Sequence, residues 1–371
     1  MNPEFNPGNG TLAEALSSAG QSEGLRNAIL EALRLAEEQA DNPALFHEKI
    51  RRPLVLSLLR EVKNHRIVLE GGLVFEVGLE SRIEQALIMS QAAHPDHVWE
   101  PQTTRLLTLL AEGAAHVIVG GAYIGDQVLP LARAANKRTP AGIIHAFEPD
   151  ESAHYRLNNN LKINQITNVV THRRGLWDRS DIPLKITGLS PLASSVPAQS
   201  TEESSGQVFQ SITIDDYIRD RRLPSLDLVM LDTEGSEERA LRGAGELLSR
   251  PSGHAPNLVF EIHRDFVDWS DGLENTPVVR FLTSLGYQVF AIRDFHDNYP
   301  MAHHPIEIIP VDRVYLEGPP HGFNVMATKD GQLAARLDLR IVENVGPKLL
   351  LHKNPALHHP LSLIADEKPR R

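Results

Sequence analysis

Cysteine is absent from the 371-residue chain. That excludes disulfides, thiolate catalysis and cysteine-held zinc, and it suits a reducing compartment. Long apolar runs are missing as well. The longest apolar cluster, Leu54 to Leu59, is broken by Ser57 and is far too short to span a bilayer. Met1 to Gly20 has neither the basic start nor the apolar stretch of a secretory signal. The expectation is a cytoplasmic protein with no membrane role. Positive charge is the scarcer sign, with 37 Lys and Arg against 48 Asp and Glu and a formal charge of -11. Such a chain has no overall attraction to a phosphate backbone, so nucleic acid is not the expected partner.

What is present centres on His116 to Pro149. Val117, Ile118 and Val119 form a β-branched run that stops at Gly120-Gly121, and Gly125 follows one helical turn later. Gln127 to Ala135 has helical periodicity, and Ile143 to Phe147 makes a second strand closed by Glu148-Pro149. This is one half of a doubly wound α/β sheet, with ligands expected at the carboxyl ends of its strands. The chemistry suits a nucleoside: glycines admit a close ligand, and a carboxylate at the next strand's tip can accept both hydrogen bonds of a ribose diol. A dinucleotide fingerprint wants G-x-G-x-x-G, and a register from Gly121 puts Tyr123 where its second glycine belongs. The spacing Gly121-x-x-x-Gly125 with Glu148 beyond is instead the one used by methyltransferases that bind S-adenosylmethionine. A structural turn without ligand is the plain alternative.

Three regions follow from the patterning. Residues 1–95 read as a start rich in Asn, Gly, Ser and Pro, without fixed structure to about residue 22, and then a mainly helical accessory region. The accessory part holds a small hairpin at 67–77 and a Ser81/Glu84 capping box. It is expected to cover the site or to build a homodimer interface. Residues 96–330 read as alternating strands and helices, with strands at 117–119, 143–147, 168–171, 226–231, 258–262, 287–292 and 323–327. Residues 331–371 read as an appendage. A Ser/Pro/Thr-rich stretch at 187–206 is expected to be a lid.

Alternation implies a parallel sheet, so Glu148, Asp232 and His263 should emerge on one edge. Asp232 and Glu234 flank a turn at a helix start, where carboxylates serve equally as caps, catalytic groups or metal ligands. His263, at a strand end, is the candidate general base. Trp177 follows the third strand, where an adenine would lie, and is either a stacking wall or simple packing. His303-His304 and His358-His359 read as surface pairs.

With these pieces placed, the chain resembles the FkbM-type family of S-adenosylmethionine-dependent methyltransferases over about residues 101 to 328. The segments that carry the resemblance are GGAYIGD (120–126), AFEPD (146–150), SITIDDY (211–217), LDLVMLDTEGSEERALRGA (226–244) and LVFEIH (258–263). The resemblance implies a seven-stranded class I methyltransferase (Rossmann-like) sheet with an antiparallel last strand, and O-methylation of a hydroxyl on a sugar or secondary metabolite. By position it assigns Gly121 and Gly125 to the cofactor, Glu148 to its ribose, and Asp232, Glu234 and His263 to the substrate; Tyr123 and Asp126, in the same turn, are cofactor-binding candidates beside them. This chain has Val119 and Tyr123 where the family has Asp and Asn. A magnesium ion held by Asp232 and Glu234 is a second way to activate the hydroxyl. Two rivals stand beside this reading: a non-catalytic nucleoside-binding or scaffold protein with the same fold, and a dehydrogenase.

Overall fold

The computed structural model describes residues 11–187, 194–197, 207–316 and 322–365. They fall into two compact units, Met1–Val98 and Trp99–Arg371. No helix among the described residues is long and apolar enough to cross a membrane.

The first unit is mainly helical. It holds helices Leu12–Gly20, Glu23–Glu38 and Arg52–Leu59, and a hairpin of β1 (His65–Val68) and β2 (Val74–Val77). The Leu12–Gly20 helix corrects the expectation of a structureless start. Thr11 Oγ1 accepts from the Glu14 N–H and the Glu14 side chain accepts from the Thr11 N–H, a capping box that sequence reading passed over. Ser81 caps its helix as expected, accepting from the Glu84 N–H at 3.1 Å.

The second unit is α/β. Its strands are β3 (His116–Gly120), β4 (Ile143–Phe147), β5 (Val169–His172), β6 (Gly175–Leu176), β7 (Pro183–Thr187), β8 (Ser194–Pro197) and β9 (Val208–Ile212). Then come β10 (Leu228–Leu231), β11 (Asn257–His263), β12 (Gln288–Ile292), β13 (Glu307–Pro310), β14 (Gly322–Thr328) and β15 (Arg340–Ile341). The main sheet has nine strands rather than the expected seven, in the order β15-β13-β12-β14-β11-β10-β3-β4-β5. The seven expected strands are all in it. The two extra ones, β13 and β15, lie beyond β12 and are too short to show a periodic pattern. As expected, β14 is antiparallel to both its neighbours, whereas β11, β10, β3, β4 and β5 run parallel.

β15 stitches the C-terminal segment onto the sheet, and the fully buried Arg293 pins it further. The Arg293 guanidinium donates to the carbonyls of Gly346 (3.0 Å) and His359 (2.6 Å) and pairs with Glu307 at 2.6 Å. His358, expected at the surface, is buried there. A small second sheet, β6-β9-β7-β8, follows β5. Most of the expected lid at 187–206 lies outside the described residues, with β8 the main exception.

The centre of the main sheet is apolar at β3. Val117, Ile118 and Val119 are fully buried, and Val119 sits in register between Met230 and Ala146. An apolar residue fits that position on packing grounds. Across β3, β4 and β5 runs a chain of hydrogen-bonded rings. His116 Nδ1 lies 3.1 Å from His145 Nε2, His145 Nδ1 lies 2.8 Å from the Tyr217 hydroxyl, and that hydroxyl lies 2.7 Å from His172 Nε2. Burial lowers all three imidazoles, those of His145 and His172 to about 4.

Candidate functional site

Register decides which side chains meet. Gly120 pairs with Phe147 on one side and with Leu231 on the other, and Leu231 pairs with Phe260. The next residues along this row are Gly121, Glu148, Asp232 and Glu261, which therefore share the carboxyl edge of the sheet. His263 stands two residues further out along β11.

Gly121 takes a φ of +76°, and a Cβ there would lie 1.6 Å from the Asp232 carbonyl oxygen. The glycine turn is thus pressed against the end of β10, and only glycine fits. Tyr123 also has a positive φ, 42°. Asn adopts that conformation more readily, so the tyrosine is held at some strain. Its backbone N–H donates to Glu148 Oε2 at 2.8 Å, and the Asp150 N–H donates to Glu148 Oε1 at 2.9 Å. A carboxylate has about four acceptor sites, so two stay open for a diol. Burial pushes the Glu148 carboxyl up to about 7, against the pull of those two N–H groups. Gly125 and the buried Asp126 complete the turn, and Asp126 adds its negative charge beside Glu148.

Asp232, Glu234 and Glu261 form a second group, each offering an oxygen within 4.8 Å of the others. Burial and the neighbouring acids of the group hold the carboxyls of Asp232 and Glu261 well above the usual range, and burial with the charges of Glu237 and Asp265 raises that of Glu234 to about 7. Glu234 has a φ of 51°. Its turn is fixed by Glu237, whose carboxylate accepts from the N–H groups of Thr233 (2.7 Å) and Gly235 (3.0 Å). Glu237 thus does the local bonding that the sequence offered equally to Asp232 and Glu234. Nearby, Glu100 is buried, accepts from Asn324 Nδ2 at 2.7 Å and is raised to about 8 by burial. Asn324 is in register with Glu261.

Sequence reading missed Glu261, Glu237 and Glu100. For Glu261 a signal exists: it is the one acid inside the otherwise apolar run LVFEI. Counting to the strand's end selects His263, whereas register puts Glu261 beside Asp232.

His263 and Trp177 have surroundings that bear on the roles expected of them. His263 Nδ1 accepts from the Asp265 N–H at 3.1 Å, so in the neutral ring the proton sits on Nε2. As placed, the Nδ1 lone pair is taken, and that nitrogen can accept a proton only if the Asp265 contact opens. Trp177 is buried with Leu184 and Phe209, and the Arg239 guanidinium lies 5.0 Å from its ring centroid. It packs the second sheet onto the unit, and a stacking base would have to displace that guanidinium.

The described geometry can be set beside known proteins. Residues 120–289 match the methyltransferase FkbM domain. The FkbM match opens at the glycine turn and takes in Glu148, all three acids of the second group, and His263. No curated protein matches the chain. Among solved structures, the chain is 16% identical to the O-methyltransferase of Bacillus cereus in complex with SAH, covering 67% of this chain and 90% of that one with a TM-score of 0.35. For TomG, the O-methyltransferase of Streptomyces achromogenes involved in tomaymycin synthesis and solved with SAM, the identity is 15%, the coverage 68% and 92%, and the TM-score 0.34. An rRNA methylase of Streptococcus thermophilus gives 15%, 61% and 93%, and 0.34.

Proposed function

We propose that the FkbM-type unit is an S-adenosylmethionine-dependent O-methyltransferase acting on the hydroxyl of a small molecule, a sugar or a secondary metabolite. The observation that carries this reading is the contact of Gly121 with the Asp232 backbone, which sets the Glu148 turn and the acid group edge to edge. One part suits a ribose and the other a polar acceptor. When bound, S-adenosylmethionine supplies a methyl group already activated on a sulfonium. The chain's own task is then alignment of the acceptor and removal of its proton.

Glu148, with two acceptor positions open, fits the ribose hydroxyls. On the acceptor side His263 remains the first candidate for the base, provided the ring gives up the Asp265 N–H. A second reading is favoured by the three clustered carboxylates. An all-oxygen donor set suits a hard divalent cation such as Mg²⁺, held by Asp232, Glu234 and Glu261. Such an ion would lower the pKa of a nearby hydroxyl.

Calorimetric titration with S-adenosylhomocysteine and with NAD tests the proposal. Binding of the first alone supports it. Binding of NAD alone would mean a dehydrogenase, and binding of neither would leave the scaffold reading. If S-adenosylhomocysteine binds, His263→Ala should lower turnover by roughly 10²–10⁴-fold if the base reading holds. Loss of activity in EDTA instead points to the metal.

A further inference from the structure

Glu100 stands just before the Pro101–Ala111 helix with a φ of +49°, a strained conformation for a residue with a side chain. Capping does not explain it. Asp294 does that work, accepting from the N–H groups of Gln102 (3.0 Å) and Thr103 (2.7 Å), and the Glu100 side chain makes no cap hydrogen bond. Its carboxylate turns instead to β14, where Oε2 accepts from Asn324 Nδ2 at 2.7 Å. The same amide nitrogen donates to Thr103 Oγ1 at 3.3 Å, which engages both of its protons. Asn324 is only 2% exposed, and its Oδ1 is buried with no hydrogen-bond partner among the described residues. An orphaned acceptor of this kind costs stability until something donates to it.

Glu100 lies within reach of both parts of the site. Toward the glycine turn, Thr104 Oγ1 ties the helix to Gln127 Oε1 at 3.1 Å, and the Asp126 charge acts on Glu100 as it does on Glu148. Toward the acid group, Asn324 pairs with Glu261 across the strands, and the Glu100 charge acts on both Asp232 and Glu261. Strand alternation keeps Asn324 and Glu261 on one face, opposite the core residues Phe323, Val325, Phe260 and Ile262. Cations supplied by the chain are few. His296 Nε2 lies 3.4 Å from Glu100 Oε1, and Lys348 acts from the C-terminal segment. Burial with the charges of Asp294 and Asp126 outweighs Lys348 and the Asn324 hydrogen bond, and holds the Glu100 carboxyl up to about 8.

We propose that Glu100 and Asn324 Oδ1 together form an ammonium subsite, which takes the charged amino group at the amino-acid end of the cofactor. The proposal rests on the methyl-transfer reading, in which Glu148 holds the ribose. The ammonium of S-adenosylmethionine stands on a short flexible chain beyond the sulfur. Its receiver therefore has to sit near the glycine turn but apart from Glu148, as Glu100 does. An ammonium carries three protons on a compact head, enough for an ionised carboxylate and a neutral oxygen at once. A hydroxyl has a single proton and would leave one of the two acceptors orphaned. A divalent cation asks for more oxygens than this pair offers.

The test is calorimetry on the full chain with S-adenosylhomocysteine and with its desamino analogue, in which hydrogen replaces the ammonium. Each ligand is titrated into wild type and into Glu100→Gln, which keeps the side chain's shape and an acceptor for Asn324 while removing the charge. Wild type should bind the desamino analogue at least about tenfold more weakly, the worth of a hydrogen bond to a charged group. Glu100→Gln should weaken S-adenosylhomocysteine by a similar factor and leave the desamino analogue nearly unchanged, the coupling expected of groups in contact. If Glu100→Gln fails to fold on thermal melting, Glu100→Met takes its place under the same expectation. Equal losses for the two ligands would make Glu100 a purely structural residue and overturn the subsite. Unchanged affinity for S-adenosylhomocysteine in the variant would overturn it too, while leaving the methyl-transfer reading in place. Binding of neither ligand to wild type would remove that reading and the subsite with it.

Discussion

Glu148 shows how much one residue can be asked to predict. On the proposed reading, its open acceptor positions take the ribose hydroxyls while the carboxylate is ionised. Glu148→Ala should therefore weaken S-adenosylhomocysteine by about 1.5–3 kcal/mol with the fold intact. An unchanged calorimetric affinity would remove it from the site. Its pKa of about 7 adds a pH dependence. The folded value lies above the unfolded one, so folding stability conferred by this group declines as pH rises from about 4.5 to about 7. Cofactor affinity runs the other way, because only the ionised form accepts both hydroxyls. S-adenosylhomocysteine should bind roughly tenfold more weakly at pH 6 than at pH 8, following the ionised fraction. A flat profile would mean that the carboxylate is not the ribose ligand. Gly121 and Glu148 were legible from sequence because a tight turn and a strand-tip acid are local patterns. Glu261 was not, because its importance comes from a neighbouring strand's register, which no local pattern records.

At the scale of elements, the ring chain beneath β3, β4 and β5 ties strands to the Ile214–Arg221 helix through Tyr217. Tyr217→Phe leaves His145 Nδ1 and His172 Nε2 without their shared partner. It should cost about 1–3 kcal/mol, seen as a lower midpoint in denaturant. The same chain makes the unit sensitive to acid. His145 and His172 titrate near 4 in the folded protein against 6.5 unfolded, so the unfolded chain takes up protons first. Their contribution is complete above about pH 6.5 and is lost as pH falls toward about 4. His145→Gln should flatten that slope by removing one of the titrating rings, and an unchanged slope would detach the rings from acid stability. Strands such as Val117–Val119 and Leu258–Ile262 were legible because fully buried strands read as apolar runs. β13 and β15 were not, since their place comes from pairing with β12 and with each other. The helix at Leu12–Gly20 was hidden behind a composition that suggested disorder, although its capping box was there to read.

For the molecule as a whole, a formal charge of -11 and a cluster of three carboxylates make divalent cations the natural probe. If Asp232, Glu234 and Glu261 hold Mg²⁺, saturating magnesium should raise the melting temperature by a few degrees, through binding to the native state alone. Asp232→Asn should abolish the rise, whereas no rise in wild type would leave the acid group to the substrate. The sheet's far edge has a different consequence. β15 contributes only Arg340 and Ile341, yet it occupies the open side of β13, whose Ile308 and Ile309 are fully buried. Unpaired strand edges invite other chains to add to them, and short, charged cover is a common defence. A chain ending before Asp338 would expose β13 and lose the carbonyls that hold Arg293. Light scattering at rising concentration should then show edge-to-edge self-association that the full chain does not. On this view the segment from Asp338 to His359 acts as a guard against aggregation, separate from any part it plays in chemistry.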